Sequence, residues 1–269
     1  MLAQRHYENF SVASRLVPAP LRLQLARIYA YCRTTDDLGD ESGSREFARE
    51  RLARWRGEVT QMFAGAPPVH PVLISLSRTV AAYHMESQPF LDLIAANVQD
   101  QDVTSYETWN DLIGYCRNSA APVGRMVLEV FSISNKDTKP LSDDVCIGLQ
   151  LANHAQDVAR DAVLGRTYLV QADIREHGTR GAVRIMVERA RELLSSGRAL
   201  ERMAPGGLRL QLSLYRLGGL AICDAIERNE YRTELERPTV TRSVKAALLV
   251  RAILESLQNA RDRRETEPA

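Results

Sequence analysis

The sequence has little of what several common protein classes require. Its four cysteines lie far apart among 269 residues and form no C-x-x-C pair. No disulfide framework is therefore indicated, and a reduced, cytoplasmic compartment is expected. With 35 basic and 34 acidic residues the net charge is +1, and a chain without a basic excess is not expected to bind nucleic acid.

Long apolar stretches are also missing. The N-terminal residues MLAQRHYENF lack the apolar core of a signal peptide. The best apolar segment, AALLVRAILESL, contains Arg251 and falls short of the roughly 18–20 residues of a membrane span. We therefore expect a cytoplasmic protein. The C-terminal RDRRETEPA is charge-rich and expected to be solvated, and transient, peripheral contact of its basic residues with the inner face of the membrane is the alternative.

Sequence motifs of several catalytic classes are absent. None of the five histidines has a glutamate three residues before it, which argues against a di-iron four-helix protein. No P-loop, G-x-S-x-G, H-E-x-x-H or EF-hand loop occurs either. The chemistry therefore has to come from another pattern of side chains.

Helical periodicity runs along most of the chain, without an alternating strand pattern. Prolines separate segments of helix length, and one all-α domain covering residues 1–269 is predicted. The predicted helices are 20–42, 44–64, 71–85, 88–100, 106–133, 141–163, 179–203, 207–230 and 238–261.

One proline lies inside a helical segment instead of between two segments. Pro122, in YCRNSAAPVGRMVL, has no amide hydrogen to donate, and its ring crowds the preceding turn. We expect a kink that leaves the carbonyl of Asn118 without its intrahelical partner. A plain helix bend is one interpretation; a cavity wall whose freed carbonyl faces a positive charge is the other.

An acidic stripe occurs in LQLANHAQDVARDAVLGRTYL, residues 149–169. Asn153, Asp157 and Asp161 follow at four-residue intervals, so a helix stacks them on one side. Like charges at this spacing repel by roughly 0.2–0.5 kcal/mol. A solvated face softened by Arg160 and Arg166 is one explanation, but the leucine- and alanine-rich flanks leave little room for it.

A second acidic cluster occurs earlier, in YAYCRTTDDLGDES. Arg33, Asp36 or Asp37, and Asp40 share one helical face. A frayed polar helix end is the alternative, because glycines at positions 39 and 43 favour termination.

Two such clusters in one helical chain are more informative than either alone. If the two helices face each other, their carboxylates converge and need cations. Oxygen ligands without histidine or cysteine select Mg²⁺, which commonly bridges protein acids to substrate phosphates. Arg33 and Arg166 are predicted to pair with phosphate oxygens. His154 lies off the acidic face and is predicted to be packed or solvated instead of a ligand.

Four segments, in this order, resemble the squalene/phytoene synthase family of head-to-head isoprenoid synthases. HYENFSVASRLVP is similar to the N-terminal substrate segment and YAYCRTTDDLGDE to the first aspartate motif. YCRNSAAPVGRMVL is similar to the central segment, and LQLANHAQDVARDAVLGRTYL to the second aspartate motif and its following loop. The resemblance implies a single-domain, all-α isoprenoid synthase fold with a central apolar cavity.

The resemblance also implies roles for individual residues. The implied Mg²⁺ ligands are Asp36, Asp40, Asn153, Asp157 and Asp161. Arg33 would contact diphosphate, Phe10 would line the prenyl pocket, and residues 162–171 would form a flap. The residues implied at the reaction centre are Tyr29, Tyr115, Gln150 and Tyr168.

Three departures from the family pattern narrow the expectation. Glu8 replaces the lysine of H-S-K-S-F, Gln156 replaces the arginine of N-I-L-R-D, and P-V-G replaces G-T-V-G. The first two remove cations from the diphosphate region, which disfavours binding two diphosphate substrates together. With these changes the chain resembles the hydroxysqualene synthase branch of bacterial hopanoid biosynthesis.

This branch implies Mg²⁺-dependent ionisation and rearrangement of presqualene diphosphate, with capture by water to give hydroxysqualene. A companion enzyme would form the substrate, a downstream reductase would consume the product, and no NADPH is expected. Two alternatives stay open. One is a squalene, dehydrosqualene or phytoene synthase that condenses two prenyl diphosphates; the other is a catalytically silent helical scaffold.

Overall fold

A computed structural model of the chain describes residues 17–266, with side chains described for 17–256 and for Gln258. The helices are α1 (Ala19–Asp40), α2 (Arg45–Phe63), α3 (Pro71–Tyr83), α4 (Gln88–Gln99), α5 (Trp109–Ser119), α6 (Ala121–Val130), α7 (Thr138–Gln156), α8 (Val158–Val163), α9 (Gln171–Met203), α10 (Gly206–Arg228) and α11 (Arg242–Thr266). Within this range there is no strand, only an isolated bridge between Tyr106 and Val170. The all-α prediction is confirmed, and no helix between residues 17 and 266 is long and apolar enough to cross a membrane.

Most predicted helices agree with the structure to within a few residues, and three differ. The predicted helix 106–133 is two helices in the structure. Helical structure is interrupted just before Pro122, which lies in the first turn of α6. The segment 141–163 is interrupted at Asp157. Helix α9 begins at Gln171, eight residues before the prediction, but Gly178 has φ 68° and ψ 173° and interrupts it. The predicted start at residue 179 is therefore the start of its second part.

The described chain divides into two compact units. The first comprises 17–104 and 113–139, and the second comprises 105–112 and 140–266. Helices α5 and α7 each have residues in both units. The prediction that residues 1–269 form one domain stays a prediction.

Aromatic packing in the first unit orients α1. The Tyr31 ring lies 5.8 Å from Trp55 and 5.1 Å from Phe90, centroid to centroid. Tyr31 donates to the Phe90 carbonyl at 2.8 Å. These contacts bury one side of α1, while Asp36 is half-buried and Asp40 is exposed at its end.

A glycine lets the end of α1 approach α4 closely. A Cβ atom at Gly39 would lie 2.8 Å from the side-chain oxygen of Asn97, too close for any larger residue without a shift. The Gln101 amide donates to the Gly39 carbonyl at 3.3 Å. The acidic end of α1 is thereby held beside the polar end of α4.

Candidate active site

The first acidic cluster lies on the last turns of α1. Asp37 pairs with the Arg33 guanidinium at 2.8 Å, and Glu41 lies 3.6 Å from it. Burial lowers the pKa of Arg33, but the hydrogen bond and charge of Asp37, together with Glu41, more than offset this and raise it. Asp36 instead accepts from the Asn97 amide at 3.2 Å. The sequence left Asp36 and Asp37 as alternatives for the acidic face of the helix. In the structure the two have different partners, Asn97 for Asp36 and Arg33 for Asp37.

A second predicted site residue, Tyr115, contacts the end of α4. The Tyr115 hydroxyl donates to Asp100 at 2.8 Å, and Tyr115 is buried. Asn97 and Asp100 were not among the predicted site residues, although their segment NVQDQD is conspicuously polar. Within the first unit, α4 therefore contacts both Asp36 and Tyr115. Tyr29 lies half-buried on α1.

The predicted kink before Pro122 is a complete helix break. Helix α5 ends at Ser119, and α6 begins at Ala121 with buried Pro122 in its first turn. Asn118 lies half-buried in the last turn of α5. That its carbonyl stabilises a cation stays a prediction.

The second acidic cluster lies where α7 passes into α8. Asp157 has φ −99° and ψ 14°, outside helical values. The backbone hydrogen bonds between residues four apart nevertheless continue. The Asp157 N–H donates to the Asn153 carbonyl, and the Asp161 N–H donates to the Asp157 carbonyl, both at 2.9 Å. The three side chains therefore keep the predicted stacking. Asp157 is only 5% exposed, so a solvated face does not explain it.

A cation from far along the chain pairs with Asp157 of this cluster. The Arg237 guanidinium donates from Nε to Asp157, and Arg160 lies 3.6 Å from the same carboxylate. Arg237 also donates to the side-chain oxygen of Gln156 at 2.8 Å, while the Gln156 amide donates to the Pro238 carbonyl at 2.6 Å. A guanidinium therefore stands beside Gln156, although it is paired with Asp157, and the inference that the Gln156 substitution disfavours binding two diphosphates stays a prediction. The Gln156 amide orients this guanidinium, which comes from another segment.

His154 contacts three predicted site residues in the second unit. Its ring nitrogen lies 3.1 Å from the Gln150 amide, and its ring stacks on Tyr168 with centroids 3.7 Å apart. His154 Nδ1 also lies 4.0 Å from Asp161. Tyr168 in turn stacks on Tyr106 at 5.9 Å. Of the two predicted alternatives, packed or solvated, the structure shows His154 packed. Its contacts with the site residues were missed because the loop that brings Tyr168 back onto α7 is a feature of the folded chain.

The remaining predicted residues are placed as follows. Residues 164–170 form a turn and loop after α8 in which Gly165 has φ 69°, and the Arg166 amide donates to Asp161 O at 2.9 Å. Val163 and Leu164 are exposed there. Phe10 and Glu8 lie outside the described residues. The flap function stays a prediction.

The donor chemistry of both clusters suits a hard cation. Each supplies carboxylate oxygens, and Asn153 adds a neutral amide oxygen, the ligand types that Mg²⁺ prefers. Within the described part of the chain, no three histidine, cysteine, aspartate or glutamate side chains form a metal-binding group. The partner that neutralises Asp157 here is arginine. Ligation of Mg²⁺ by the five predicted residues stays a prediction.

Replacing Arg237 by glutamine is expected to lower the free energy of unfolding by about 1–3 kcal/mol, because it leaves the buried Asp157 carboxylate without its closest cation. Urea unfolding measures this. Arg232→Gln is the matched control, since Arg232 pairs with an exposed glutamate in the same segment. Adding Asp157→Asn to Arg237→Gln is expected to recover stability. Equal unfolding midpoints for the control and Arg237→Gln contradict the assigned role.

Comparison with known proteins identifies the family and the fold of the chain. The sequence model of the squalene/phytoene synthase family matches residues 3–244 of this chain. A squalene synthase structure from Alicyclobacillus acidocaldarius is 43% identical, with a TM-score of 0.79 over 84% of this chain and 90% of that one. A dehydrosqualene synthase structure has the same fold, with a TM-score of 0.83 at 21% identity over 94% and 93% of the chains.

Two curated relatives differ in how much of the chain they match. A hydroxysqualene synthase from Rhodopseudomonas palustris is 37% identical over 60% of this chain and 54% of its own length. A phytoene synthase from Arthrospira platensis is 29% identical over 86% of this chain and 83% of its own. Because the family match extends over both acidic clusters and the central segment, the chain belongs to the squalene/phytoene synthase family of isoprenoid synthases.

Proposed function

We propose that this chain is a hydroxysqualene synthase, which converts presqualene diphosphate and water into hydroxysqualene and diphosphate. The observation that carries the proposal is the stacked oxygen stripe around buried Asp157, whose charge is balanced by Arg237. A carboxylate held out of solvent beside a guanidinium suits a site that binds metal and diphosphate. Similarity to hydroxysqualene synthases supports the choice of substrate.

The proposed chemistry begins with loss of the leaving group. The carbon–oxygen bond of presqualene diphosphate breaks, and its electron pair leaves with the diphosphate. Mg²⁺ held by Asp36, Asp40, Asn153, Asp157 and Asp161 would supply the positive charge that favours this ionisation. The cyclopropylcarbinyl cation rearranges, a water oxygen bonds to the cationic carbon, and the released proton passes to diphosphate.

Neighbouring side chains would bind and shield these charges. The guanidiniums of Arg33 and Arg166 are proposed to pair with diphosphate oxygens. The Tyr168 ring, which stacks on His154 and Tyr106, would line the reaction centre as part of this aromatic group.

The proposal implies neighbours in a reaction sequence. A prenyl-condensing enzyme must supply presqualene diphosphate, and a reductase must consume the alcohol. This chain is proposed to need Mg²⁺ but no NADPH. Both neighbours follow from the chemistry of the substrate and product.

A second candidate function is the condensation of two prenyl diphosphates, as in squalene or phytoene synthases. It is favoured by the extent of two matches, 84% of this chain with a squalene synthase and 86% with a phytoene synthase. Arg237 also weakens the argument that the site lacks positive charge, because it stands beside Gln156.

Product analysis separates the candidates. The purified chain is incubated with Mg²⁺ and either presqualene diphosphate or farnesyl diphosphate, with and without NADPH, and extracts are analysed by gas chromatography and mass spectrometry. Hydroxysqualene from presqualene diphosphate alone is expected. Turnover of farnesyl diphosphate without use of presqualene diphosphate contradicts the proposal. A chain with no turnover and no thermal shift from Mg²⁺ plus inorganic diphosphate is a scaffold.

A further inference from the structure

The segment between α10 and α11, residues 229–241, lies against the second acidic cluster. Its Thr233 carbonyl accepts from the Ala159 backbone amide at 3.3 Å. Its Pro238 carbonyl accepts from the side-chain amide of Gln156 at 2.6 Å. Backbone contacts at two places therefore attach this segment to the end of α7 and the start of α8, where the proposed metal ligands lie.

The Arg237 guanidinium of this segment occupies a carboxylate that the metal is proposed to use. Its Nε donates to Asp157 Oδ1, and the Arg160 guanidinium lies 3.6 Å from the same oxygen. The Asp157 side chain is only 7% exposed, so solvent screens these charges little. Like charges about 4 Å apart repel strongly where solvent is scarce. A magnesium ion on the Asp157 carboxylate would lie that close to the guanidinium, and the two therefore compete for Asp157.

Gln156 keeps the guanidinium in this position. Its side-chain oxygen accepts from Arg237 Nη2 at 2.8 Å, while its amide nitrogen is held by Pro238. Gln156 is only 4% exposed, so both hydrogen bonds form away from water. An arginine at position 156 would have donors only and could not accept from Arg237. A glutamine is therefore suited to holding a guanidinium on the neighbouring carboxylate.

The segment that carries Arg237 is strained where it leaves α10. Glu230 and Tyr231 have φ values of 51° and 59°, in the left-handed region that residues other than glycine rarely adopt. The Thr233 hydroxyl is fully buried and has no hydrogen-bond partner among the described residues. Both features cost free energy in the present arrangement, and backbone strain of this kind is typical of segments that change conformation. The segment is therefore suited to moving when its contacts with α7 are exchanged.

We propose that Arg237 is a resident counterion, a cation that holds Asp157 while the metal site is empty and leaves the carboxylate when Mg²⁺ binds. Gln156 is the positioning residue that sets how strongly Arg237 competes. The inference rests on the proposed function only in taking Asp157 as a metal ligand. Because Arg237 has to leave, Mg²⁺ alone binds weakly. Diphosphate offers the released guanidinium a new anionic partner, so metal binding is coupled to the presence of diphosphate.

Thermal unfolding of the full chain over a series of Mg²⁺ concentrations tests this competition without any prenyl substrate. Ionic strength is held constant with KCl. An ion that binds only the folded chain raises the unfolding midpoint, so the concentration at which the midpoint rises reports its affinity. Arg237→Gln is expected to respond at Mg²⁺ concentrations about tenfold lower than the unchanged chain, because the ion no longer has its competitor.

Two further measurements separate the roles of the residues. Gln156→Leu is expected to shift the response in the same direction, and to add nothing in the Arg237→Gln background, because it acts through Arg237. Inorganic diphosphate is expected to strengthen the Mg²⁺ response of the unchanged chain more than that of Arg237→Gln.

Arg160→Gln is the matched control. It removes an equal charge from beside the same carboxylate, but from 3.6 Å away and without breaking a hydrogen bond. Its Mg²⁺ response is expected to shift less than about threefold, since the charge is further from the oxygen. Equal shifts for Arg237→Gln and Arg160→Gln overturn the proposal, because net charge alone would explain them.

Equal Mg²⁺ responses of Arg237→Gln and the unchanged chain also overturn the proposal. A weaker response of Arg237→Gln overturns it as well, since the arginine would then support the metal site instead of competing with the ion. If Arg237→Gln does not fold, Gln156→Leu decides alone, and an unshifted response of that variant contradicts the competition. A chain that turns over farnesyl diphosphate and not presqualene diphosphate would contradict the proposed function and leave these results unchanged.

Discussion

Asp157→Asn is expected to lower kcat with presqualene diphosphate at least a thousandfold while the helical circular dichroism is retained. The substitution keeps the side-chain shape but removes the charge from a residue that is 5% exposed and central to the stripe. A metal ion that neutralises a leaving diphosphate contributes several kcal/mol, and losing a charged ligand removes much of it. Turnover and Mg²⁺-dependent binding of inorganic diphosphate are both measured.

Two further variants separate chemistry from folding. Asp224→Asn is the matched control, because Asp224 forms an exposed ion pair with Arg191 in the same unit and should leave turnover unchanged. Asp157→Asn combined with Arg237→Gln is expected to restore stability without restoring turnover, since it removes both charges of the pair. Full activity of Asp157→Asn would falsify the proposed metal role.

Arg216→Met is expected to lower the free energy of unfolding by about 3–5 kcal/mol. Arg216 is 1% exposed and donates to Glu201 and Glu255, both at 2.5 Å. Ser213 donates to the same Glu201 carboxylate at 2.7 Å. Removing the guanidinium leaves Glu201, 1% exposed overall, as a buried charge without its main counterion. Urea unfolding followed by circular dichroism measures the loss.

Arg198→Met provides the matched control for this cluster. Arg198 is 58% exposed and lies 3.9 Å from the same Glu255, so its loss should change stability by less than about 0.5 kcal/mol. Arg216→Met with Glu201→Leu is expected to recover much of the lost stability, because it removes the orphaned charge as well. Equal effects of Arg216→Met and Arg198→Met would show that burial does not amplify this ion pair.

The same cluster predicts how stability depends on pH. Burial raises the pKa of Glu255, but hydrogen bonds and charges from Arg251 and Arg216 outweigh this and lower it below its ordinary 4.5. The unfolded chain therefore binds a proton at higher pH than the folded one. The stabilisation is complete above pH 4.5 and decreases as the pH falls through the folded value.

Much of the fold was predictable because helix formation depends on nearby residues. The bounds of α2 and α10 agree with prediction to within two residues, and Pro122 broke its helix as its missing amide requires. The spacing of Asp157 and Asp161 was equally local. Gly178 was the exception, because a glycine inside a helical pattern does not reveal its φ angle before the chain is folded.

Pairings between distant segments were not predictable. Arg237 lies 80 residues beyond Asp157, and nothing in ERPTV marks it among 35 basic residues. The ring of His154 reads as an ordinary core histidine until Tyr168 and Tyr106 stack beside it. Which lysine or arginine meets which acid depends on packing of helices, and sequence spacing carries no information about that.

The sequence by itself determined the helices, the two acidic clusters and the family, because each depends on residues within a turn or two of one another or on matched motifs. Only the tertiary structure decided the environment of those residues. It placed Asp157 out of solvent beside Arg237, which Gln156 holds. Burial and ion pairing arise where separate helices meet, so they exist only once the chain has folded.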